Sequence, residues 1–314
     1  MSRPLRIEYP GACSYVTARG NGGQPVFTCA EDGHRFLDLL GREVTQQRWR
    51  CHGWCLMENH YHLLIETPEP NLGCGMGRLN MAYSQWFGRR HGRPGHLFAG
   101  RYKAILFEKE RWLLPLARHA VCNPLRLGLV RRAGQWRWSS HAAVTGEGPP
   151  WFVAADLLAA LDVGAGDAAA AWDAYVAAGD DSASPWDSLR GGHYLGSEAF
   201  LAMLARRIRG RPLDQVARAA ARPDRPTADS VLAAIAAVAG IPLDSVLDRR
   251  RAPEPYRAAA YLLRRACNLP LREAAALAGV TPARVSQIQR AVEDAGGLAR
   301  LYPWAAPLER LLAG

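Results

Sequence analysis

HYHLLIE (residues 60–66) is the stretch that decides how the first half of this sequence folds. Together with RWRCHGWCLM (48–57) it forms two runs of β-prone residues separated by Glu58-Asn59. This pattern predicts two strands joined by a tight turn.

The elements around these two strands complete the prediction for the first domain. Alternating runs predict strands, and apolar residues at helical spacing predict helices that end at Gly or Asn-Pro. The resulting order, β-α-β-β-α-β-α, is that of a ferredoxin-like α+β sandwich. Strands are expected at 13–19, 48–57, 60–66 and 100–109, and helices at 31–47, 75–92 and 111–122.

His60 and His62 are the first candidate functional residues. In a strand, residues two apart project to the same face, so the two imidazoles lie together while Tyr61 faces the other side. Paired imidazoles suit a divalent metal ion. Two partly exposed histidines on a sheet face, with no ligand, would give the same pattern.

Positive charge is concentrated in the first half of the chain. Residues 1–150 contain 20 Lys and Arg against 11 Asp and Glu, whereas the remainder contains 19 against 18. This bias favours a polyanionic partner, most simply nucleic acid, over a merely Arg-rich protein. The segment 89–103 interleaves cations with aromatic residues, a mixture that suits single strands. Its cations are Arg89, Arg90, Arg93, Arg101 and Lys103.

Cysteine usage and hydropathy bear on the compartment. The seven cysteines show no disulfide-like spacing, and the sequence has neither a signal peptide nor an apolar run of membrane-spanning length. We therefore expect a cytoplasmic protein that does not interact with membranes.

The last part of the sequence is expected to be entirely helical. Within LREAAALAGVTPARVSQIQRAV (271–292), Gly279 permits a turn and Thr281 can cap the helix that follows, which fits a helix-turn-helix. A helical bundle used only for packing is the alternative. In the helix-turn-helix interpretation, the residues that face a DNA groove are Arg284, Ser286, Gln287 and Arg290.

Residues 3–144 resemble the REP-associated tyrosine transposases and their insertion-sequence relatives, which belong to the HUH single-strand nuclease superfamily. The matching blocks are RPLRIEYPGACSYVTARGN, CLMENHYHLLIETPEPNL, RRHGRPGHLFAGRYKAIL, NPLRLGLV and WRWSSH, in the right order. The resemblance implies that His60 and His62 bind Mg²⁺ or Mn²⁺, with Asn123 as a third ligand. It also implies that the metal ion polarises the scissile phosphate of single-stranded or hairpin DNA.

One functional position departs from that family. Its nucleophilic tyrosine lies four residues before the asparagine of the Asn-Pro motif, and His119 stands there in this sequence. Residues 119 and 123 are one helical turn apart and share a face. The sequence leaves three roles open for His119: a nucleophile that forms a phosphoramidate, a further metal ligand, or a replacement that ends cleavage but keeps DNA binding. Tyr83 and Tyr102 are the nearest candidate substitutes for the nucleophilic tyrosine, and their sequence contexts favour packing roles for both.

A second resemblance covers residues 228–295 and is to the C-terminal duplex-binding domain of the replication initiator DnaA. That family's G-R-D-H-S-T signature is replaced here by GVTPARVS, so its base contacts do not carry over.

These observations predict three segments: an HUH transposase-like domain at 1–150, a helical and loop connector at 151–225, and a helix-turn-helix DNA-binding domain at 226–314. The expected function is metal-assisted strand cleavage and transfer in DNA transposition. The main alternative is a catalytically inactive DNA-binding regulator derived from a transposase, and a metal-dependent hydrolase unrelated to DNA is a third class. Insertion-sequence relatives act as dimers and REP-associated ones as monomers, so a homodimer stays open.

Overall fold

A computed structural model of the chain describes residues 7–146, 148–161, 168–179, 184–208, 225–267 and 269–312. The described residues fall into two compact units. One is drawn from Arg6–Leu189 and His193–Phe200, and the other from Arg190–Gly192 and Leu201–Gly314. Parts of the predicted connector 151–225 lie outside the described residues, and the domain limits stay a prediction.

The first unit is a mixed α+β structure with the predicted order of elements. Its first seven elements are β1 (Ala12–Arg19), α1 (Ala30–Gln46), β2 (Arg50–Met57), β3 (His60–Thr67), α2 (Leu72–His91), β4 (Lys103–Phe107) and α3 (Lys109–Val121). β4 is shorter than the predicted 100–109, because Gly100 has φ +135° before it and α3 begins at Lys109 after it.

Shorter elements follow in the same unit, ending at a fifth strand. They are α4 (Asn123–Arg126), α5 (His141–Thr145), α6 (Ala155–Ala160), α7 (Ala168–Ala177), a 3₁₀ turn (Pro185–Ser188) and β5 (Tyr194–Leu195). The five strands form one sheet in the order β2-β3-β1-β4-β5. β1 pairs antiparallel with both β3 and β4, and β5 pairs parallel with β4.

The two faces of β3 pack against different helices. Tyr61, Leu63 and Ile65 are fully buried in a core with residues of α1 and α2. Leu64 faces the opposite way, into a core that it shares with Leu113 and Leu116 of α3. The alternation confirms the predicted strand, and it places the even-numbered histidines on the α3 side of the sheet.

Close contacts between tryptophans and helix glycines fix where α1 and α2 lie. A Cβ atom on Gly33 would stand 2.5 Å from the Trp138 ring, and one on Gly75 would stand 2.3 Å from the Trp49 ring. Only glycine leaves room for these rings. Trp138 is therefore a packing residue.

The second unit is helical. Its elements include most of α8 (Glu198–Ile208), then α9 (Ala228–Ala239), α10 (Pro253–Arg265), α11 (Leu271–Leu277), α12 (Pro282–Asp294) and α13 (Leu298–Leu301). The turn between α11 and α12 is as predicted: Gly279 has φ +63°, and the Thr281 hydroxyl accepts a hydrogen bond from the backbone N–H of Arg284. Val285 and Ile288 are buried on the inner face of α12.

No helix in the described part of the chain combines the length and the apolar character that crossing a membrane requires.

Candidate metal centre and nucleic-acid surfaces

His60 and His62 lie side by side at the start of β3. Their ring centroids are 4.8 Å apart and their planes are nearly perpendicular, at 88°. His62 is 9 % exposed and His60 is half-buried. The strand geometry that the sequence predicts therefore brings the two imidazoles together.

The Nδ1 atom of each imidazole already has a partner. His60 Nδ1 lies 2.7 Å from Asn59 Oδ1, and Asn59 Nδ2 donates to the Gly23 carbonyl, so the asparagine oxygen accepts from the ring. His62 Nδ1 lies 2.8 Å from the Tyr15 hydroxyl. Such contacts at Nδ1 are typical of metal-binding histidines, since they set the tautomer and hold the ring.

His62 Nε2 is buried and makes no hydrogen bond within the described structure. A buried nitrogen without a partner costs free energy, and few native proteins leave one without a reason. A divalent cation would give this atom a partner. The imidazole nitrogens of His60 and His62 therefore fit a divalent metal ion that accepts nitrogen ligands.

Burial and neighbouring positive charge keep both imidazoles neutral. The pKa of His62 lies well below its usual value, first because of burial and then because of His60, His119 and Arg126. The pKa of His60 is lowered by burial and by Arg19. Neutral imidazole is the form that ligates metal ions, so the site is in its binding form at neutral pH.

Asn123 begins α4 and lies close to the end of α3. Its Nδ2 atom donates to the carbonyls of His119 at 2.9 Å and Ala120 at 3.3 Å. The amide nitrogen is therefore engaged by the helix end, while the side chain also lies within hydrogen-bond reach of Tyr15. The amide oxygen is the atom of Asn123 that suits a hard cation.

His119 lies in the same neighbourhood, on α3. Its ring is 4.9 Å from Trp186 and 6.2 Å from Tyr15, measured between centroids. Trp186 also packs edge-on against Tyr15, at 5.1 Å. Arg126 donates a hydrogen bond to the His119 carbonyl, which brings its positive charge to the site.

Tyr15 and Trp186 are site residues that could not be identified from the sequence. Tyr15 stands opposite Leu64 in the β1–β3 pairing, so it is a diagonal neighbour of His62, and the register of two strands cannot be deduced from either strand alone. Trp186 comes from a 3₁₀ turn in the predicted connector, far along the chain. Its local sequence carries no signal for this position.

Two other groups of potential metal ligands occur among the described residues. In each, the ligand atoms lie within 4.8 Å of one another. One joins Cys29 and His91 to buried Asp32, which caps α1. The other joins His52, Glu66 and Asp156, and Lys109 already bridges its two carboxylates at 2.6 and 3.1 Å. Neither group includes His60 or His62.

The predicted DNA-binding cations of segment 89–103 do not share one environment. Arg89, Arg101 and Lys103 are exposed. Arg90 pairs with Glu31, and Arg93 donates to the Pro25 carbonyl at 2.8 Å. The first three are therefore available to a ligand. Arg90 instead joins the end of α2 to the first turn of α1, and Arg93 joins the residues after α2 to the segment before α1.

In the second unit, the predicted groove-facing residues occupy the outer side of α12. Arg284, Gln287 and Arg290 are exposed and Ser286 is half-buried. Arg284 also lines a pocket of about 550 Å³ at the start of α12. Two further arginines that line it, Arg249 and Arg257, were missed in the sequence because they precede the helix pair.

Comparisons with known proteins add a distant structural similarity. No protein-family model matches the chain, and no curated protein matches it. The chain is similar to a solved structure of a REP-associated tyrosine transposase bound to a REP hairpin. The identity is 15 %, the alignment covers 50 % of this chain and 93 % of that chain, and the TM-score is 0.41.

Proposed function

We propose that this protein is a DNA strand transferase of the HUH type, with a ferredoxin-like nuclease sandwich in its first unit. The observation that best supports this proposal is the buried Nε2 atom of His62, which has no hydrogen-bond partner among the described residues. The His62 ring lies beside the His60 ring. Asn123 completes a set of two nitrogen ligands and one oxygen ligand for Mg²⁺ or Mn²⁺.

The bound cation would supply Lewis-acid polarisation of a phosphodiester and offset the charge that develops on its oxygens. The chain's own residues prepare the site for it. Tyr15 and Asn59 hold the two rings from behind, and burial keeps both imidazoles neutral. Arg126 adds a positive charge close to the position of the phosphate.

His119 is proposed as the nucleophile. In this scheme an imidazole nitrogen attacks phosphorus and a nitrogen–phosphorus bond forms at the 5′ side. The bond to the 3′-oxygen breaks, and that oxygen leaves as a 3′-hydroxyl after it takes up a proton. Trp186 and Tyr15 pack on the His119 ring and limit its rotation.

The DNA partners are divided between the two units in this proposal. Exposed Arg89, Arg101 and Lys103 contact the backbone of a single strand or hairpin. In the second unit α11 and α12 form a helix-turn-helix that binds duplex DNA, with α12 in the major groove. The groove-facing residues are Arg284, Ser286, Gln287 and Arg290.

A labelled single-stranded hairpin incubated with the protein and Mn²⁺ tests the proposal. A covalent protein–DNA adduct is expected on a denaturing gel, and it should be lost in His119→Ala and in His62→Ala. An adduct through histidine is labile in acid and stable in alkali, whereas one through tyrosine survives acid. Tyr83→Phe is the matched control, because its buried hydroxyl donates to the Val26 carbonyl away from the site.

A catalytically inactive DNA-binding regulator is the second candidate. The observation that favours it is the burial of Tyr15, Tyr83 and Tyr102, which are 1 %, 0 % and 7 % exposed and so are poor substitutes for the missing nucleophile. Hairpin DNA that is shifted in a native gel but never cut, with His119 intact, would establish this function instead.

A further inference from the structure

A groove lined by apolar and amide side chains lies along α2, on the face of the sheet opposite the two histidines. Its walls are the exposed side of α2 and the loop 95–101, and its volume is about 600 Å³. This is within the range of about 300–1,000 Å³ that small-ligand pockets occupy. We call it the α2 groove, and the side chains that define it are Asn21, Asn80, Met81, Ser84, Gln85 and Arg101.

The chemistry of the α2 groove is that of hydrogen-bonding amides around an apolar surface. Asn21, Asn80 and Gln85 each offer both donors and acceptors. Met81 is 58 % exposed and presents a flat, polarizable surface. Arg101 is the cation among the lining residues, and none of the described residues that line the groove is acidic. This combination matches the edge and the face of a nucleobase better than it matches a phosphate.

Tyr61 orients one of these amides. Its buried hydroxyl donates to Asn80 Oδ1 at 2.7 Å, and its ring packs against Phe98 at 5.8 Å. Because the hydroxyl engages the asparagine oxygen, Nδ2 is left to donate towards a ligand. The residue between the two histidines therefore contacts both walls of the groove.

The loop that forms the second wall is tied to the end of β1. The N–H of Asn21 donates to the Leu97 carbonyl at 2.9 Å, and the N–H of Ala99 donates to the Arg19 carbonyl at 2.8 Å. Backbone hydrogen bonds thus fix the position of the loop that forms this wall of the groove. A preformed pocket avoids the cost of ordering a loop when a ligand binds.

The groove and the histidine pair lie at the same end of the sheet. Arg19, the last residue of β1, pairs with His60, the first residue of β3. A single strand that passes around this end can therefore reach both features, with its backbone at the histidines and a base in the groove.

We propose that the α2 groove binds an unpaired nucleobase of the single-stranded DNA, with Asn80 Nδ2 and the Gln85 amide contacting the edge of the base and Met81 its face. This inference rests on the proposed single-strand activity and adds the residues that select the sequence. Asn80 and Gln85 are the specificity-determining residues, and they stand apart from the residues that hold the metal ion.

Abasic scanning tests this assignment with the full-length protein. A hairpin with a randomised single-stranded flank is first selected for binding to the wild type. Each nucleotide of the selected flank is then replaced by an abasic site. We expect one or two positions at which the loss of the base weakens binding about tenfold, as loss of a stacked and hydrogen-bonded base does.

The variants Asn80→Ala and Gln85→Ala should remove that penalty while the penalties at other positions remain. Gln46→Ala changes an exposed amide on α1 and should leave the whole profile unchanged. Gln85 is exposed, so its variant keeps the test valid if Asn80→Ala does not fold.

Three results would overturn the assignment. An abasic profile that stays the same in both variants would reject the groove but leave the proposed activity standing. A uniform loss of affinity at every position would indicate a phosphate contact and reject the base. A wild-type protein that binds no single-stranded DNA would reject both the groove and the proposed function.

Discussion

Two polar clusters lie at opposite ends of strand β3 and helix α3, and they differ in whether carboxylates pair with their cationic groups. At one end, Glu66 of β3 accepts from His52 at 2.8 Å and from Lys109 of α3 at 2.6 Å, while Asp156 pairs with Arg50 at 2.7 Å. Carboxylates and cations balance there.

The cluster at the other end contains His60, His62 and His119, and no carboxylate is among the groups that shift the pKa of His62. The pKa of His62 is lowered by burial, by two further imidazoles and by Arg126. Its Nε2 atom has no hydrogen-bond partner in the described structure. Both clusters include a buried histidine nitrogen without a hydrogen bond, since His52 Nδ1 makes none either among the described residues. That nitrogen lies 3.5 Å from the Asp156 carboxylate, whereas only cations and imidazoles act on His62, so the histidine end is the one that indicates a ligand.

The largest loss of stability is expected when Glu66 is replaced. Glu66→Gln removes the carboxylate that buried His52 shares with Lys109 and leaves Asp156 as the remaining carboxylate of the cluster, and we expect the free energy of unfolding to fall by about 3 kcal/mol. Denaturant unfolding measures the change. Mn²⁺ affinity should stay at the wild-type level once the variant is folded.

The control for this variant is Glu69→Gln, which removes an exposed partner of Arg48. It should change stability by less than about 0.5 kcal/mol. Equal losses of unfolding free energy in Glu66→Gln and Glu69→Gln would mean that the Glu66 cluster does not stabilise the fold.

Acid should remove the same stabilisation. The His52 hydrogen bond, opposed by burial and aided by Lys109, lowers the pKa of Glu66 to about 2. A carboxyl group whose pKa is lower in the folded state stabilises the fold when the pH is above its pKa in the unfolded state. This stabilisation is lost as the pH falls through the pKa of the folded state. The difference between wild type and Glu66→Gln should therefore shrink between pH 4.5 and pH 2. The part of that difference that depends on pH is on the order of 2 kcal/mol, out of a total of about 3 kcal/mol. A difference independent of pH would contradict this.

At the histidine end, Tyr15→Phe should weaken metal binding. The change keeps the ring that packs on Trp186 but removes the hydroxyl that holds His62 Nδ1. Mn²⁺ affinity should fall about tenfold, as with other contacts behind a metal-binding histidine. Calorimetric titration measures it, with Tyr83→Phe as the matched control. Unchanged affinity would show that Tyr15 does not position His62.

The smallest effect is expected in the second unit. If Arg284 contacts a phosphate, Arg284→Ala should lower the slope of log affinity for duplex DNA against log salt by about 1. Arg310 lies in the last 3₁₀ turn of the chain, and Arg310→Ala is the control. Identical slopes for wild type and both variants would remove Arg284 from the proposed interface.

Much of the framework could be predicted from the sequence because each signal was local. Alternation in HYHLLIE predicts the strand and the shared face of its histidines, and the Gly279 and Thr281 positions predict the turn before α12. The structure confirms these elements within a few residues. The ends of β4 were less certain, since glycine conformations such as that of Gly100 decide them.

The parts that could not be predicted depend on contacts between distant segments. Tyr15 reaches His62 only through the β1–β3 register, and Trp186 reaches His119 from more than 60 residues away along the chain. The hydroxyl of Tyr61, which the sequence places only on the other face of the strand, donates a hydrogen bond to Asn80 on α2. None of these contacts has a periodicity that one segment alone would reveal.

The proposal that His60, His62 and Asn123 bind a divalent metal ion is tested most directly by the position of manganese in crystals of the protein grown with Mn²⁺. Anomalous scattering at the manganese edge should give a peak that lies between His60 Nε2, His62 Nε2 and Asn123 Oδ1, and it should disappear in His62→Ala. A peak at the His52–Glu66–Asp156 or Cys29–Asp32–His91 group instead, with none at His60 and His62, would contradict it.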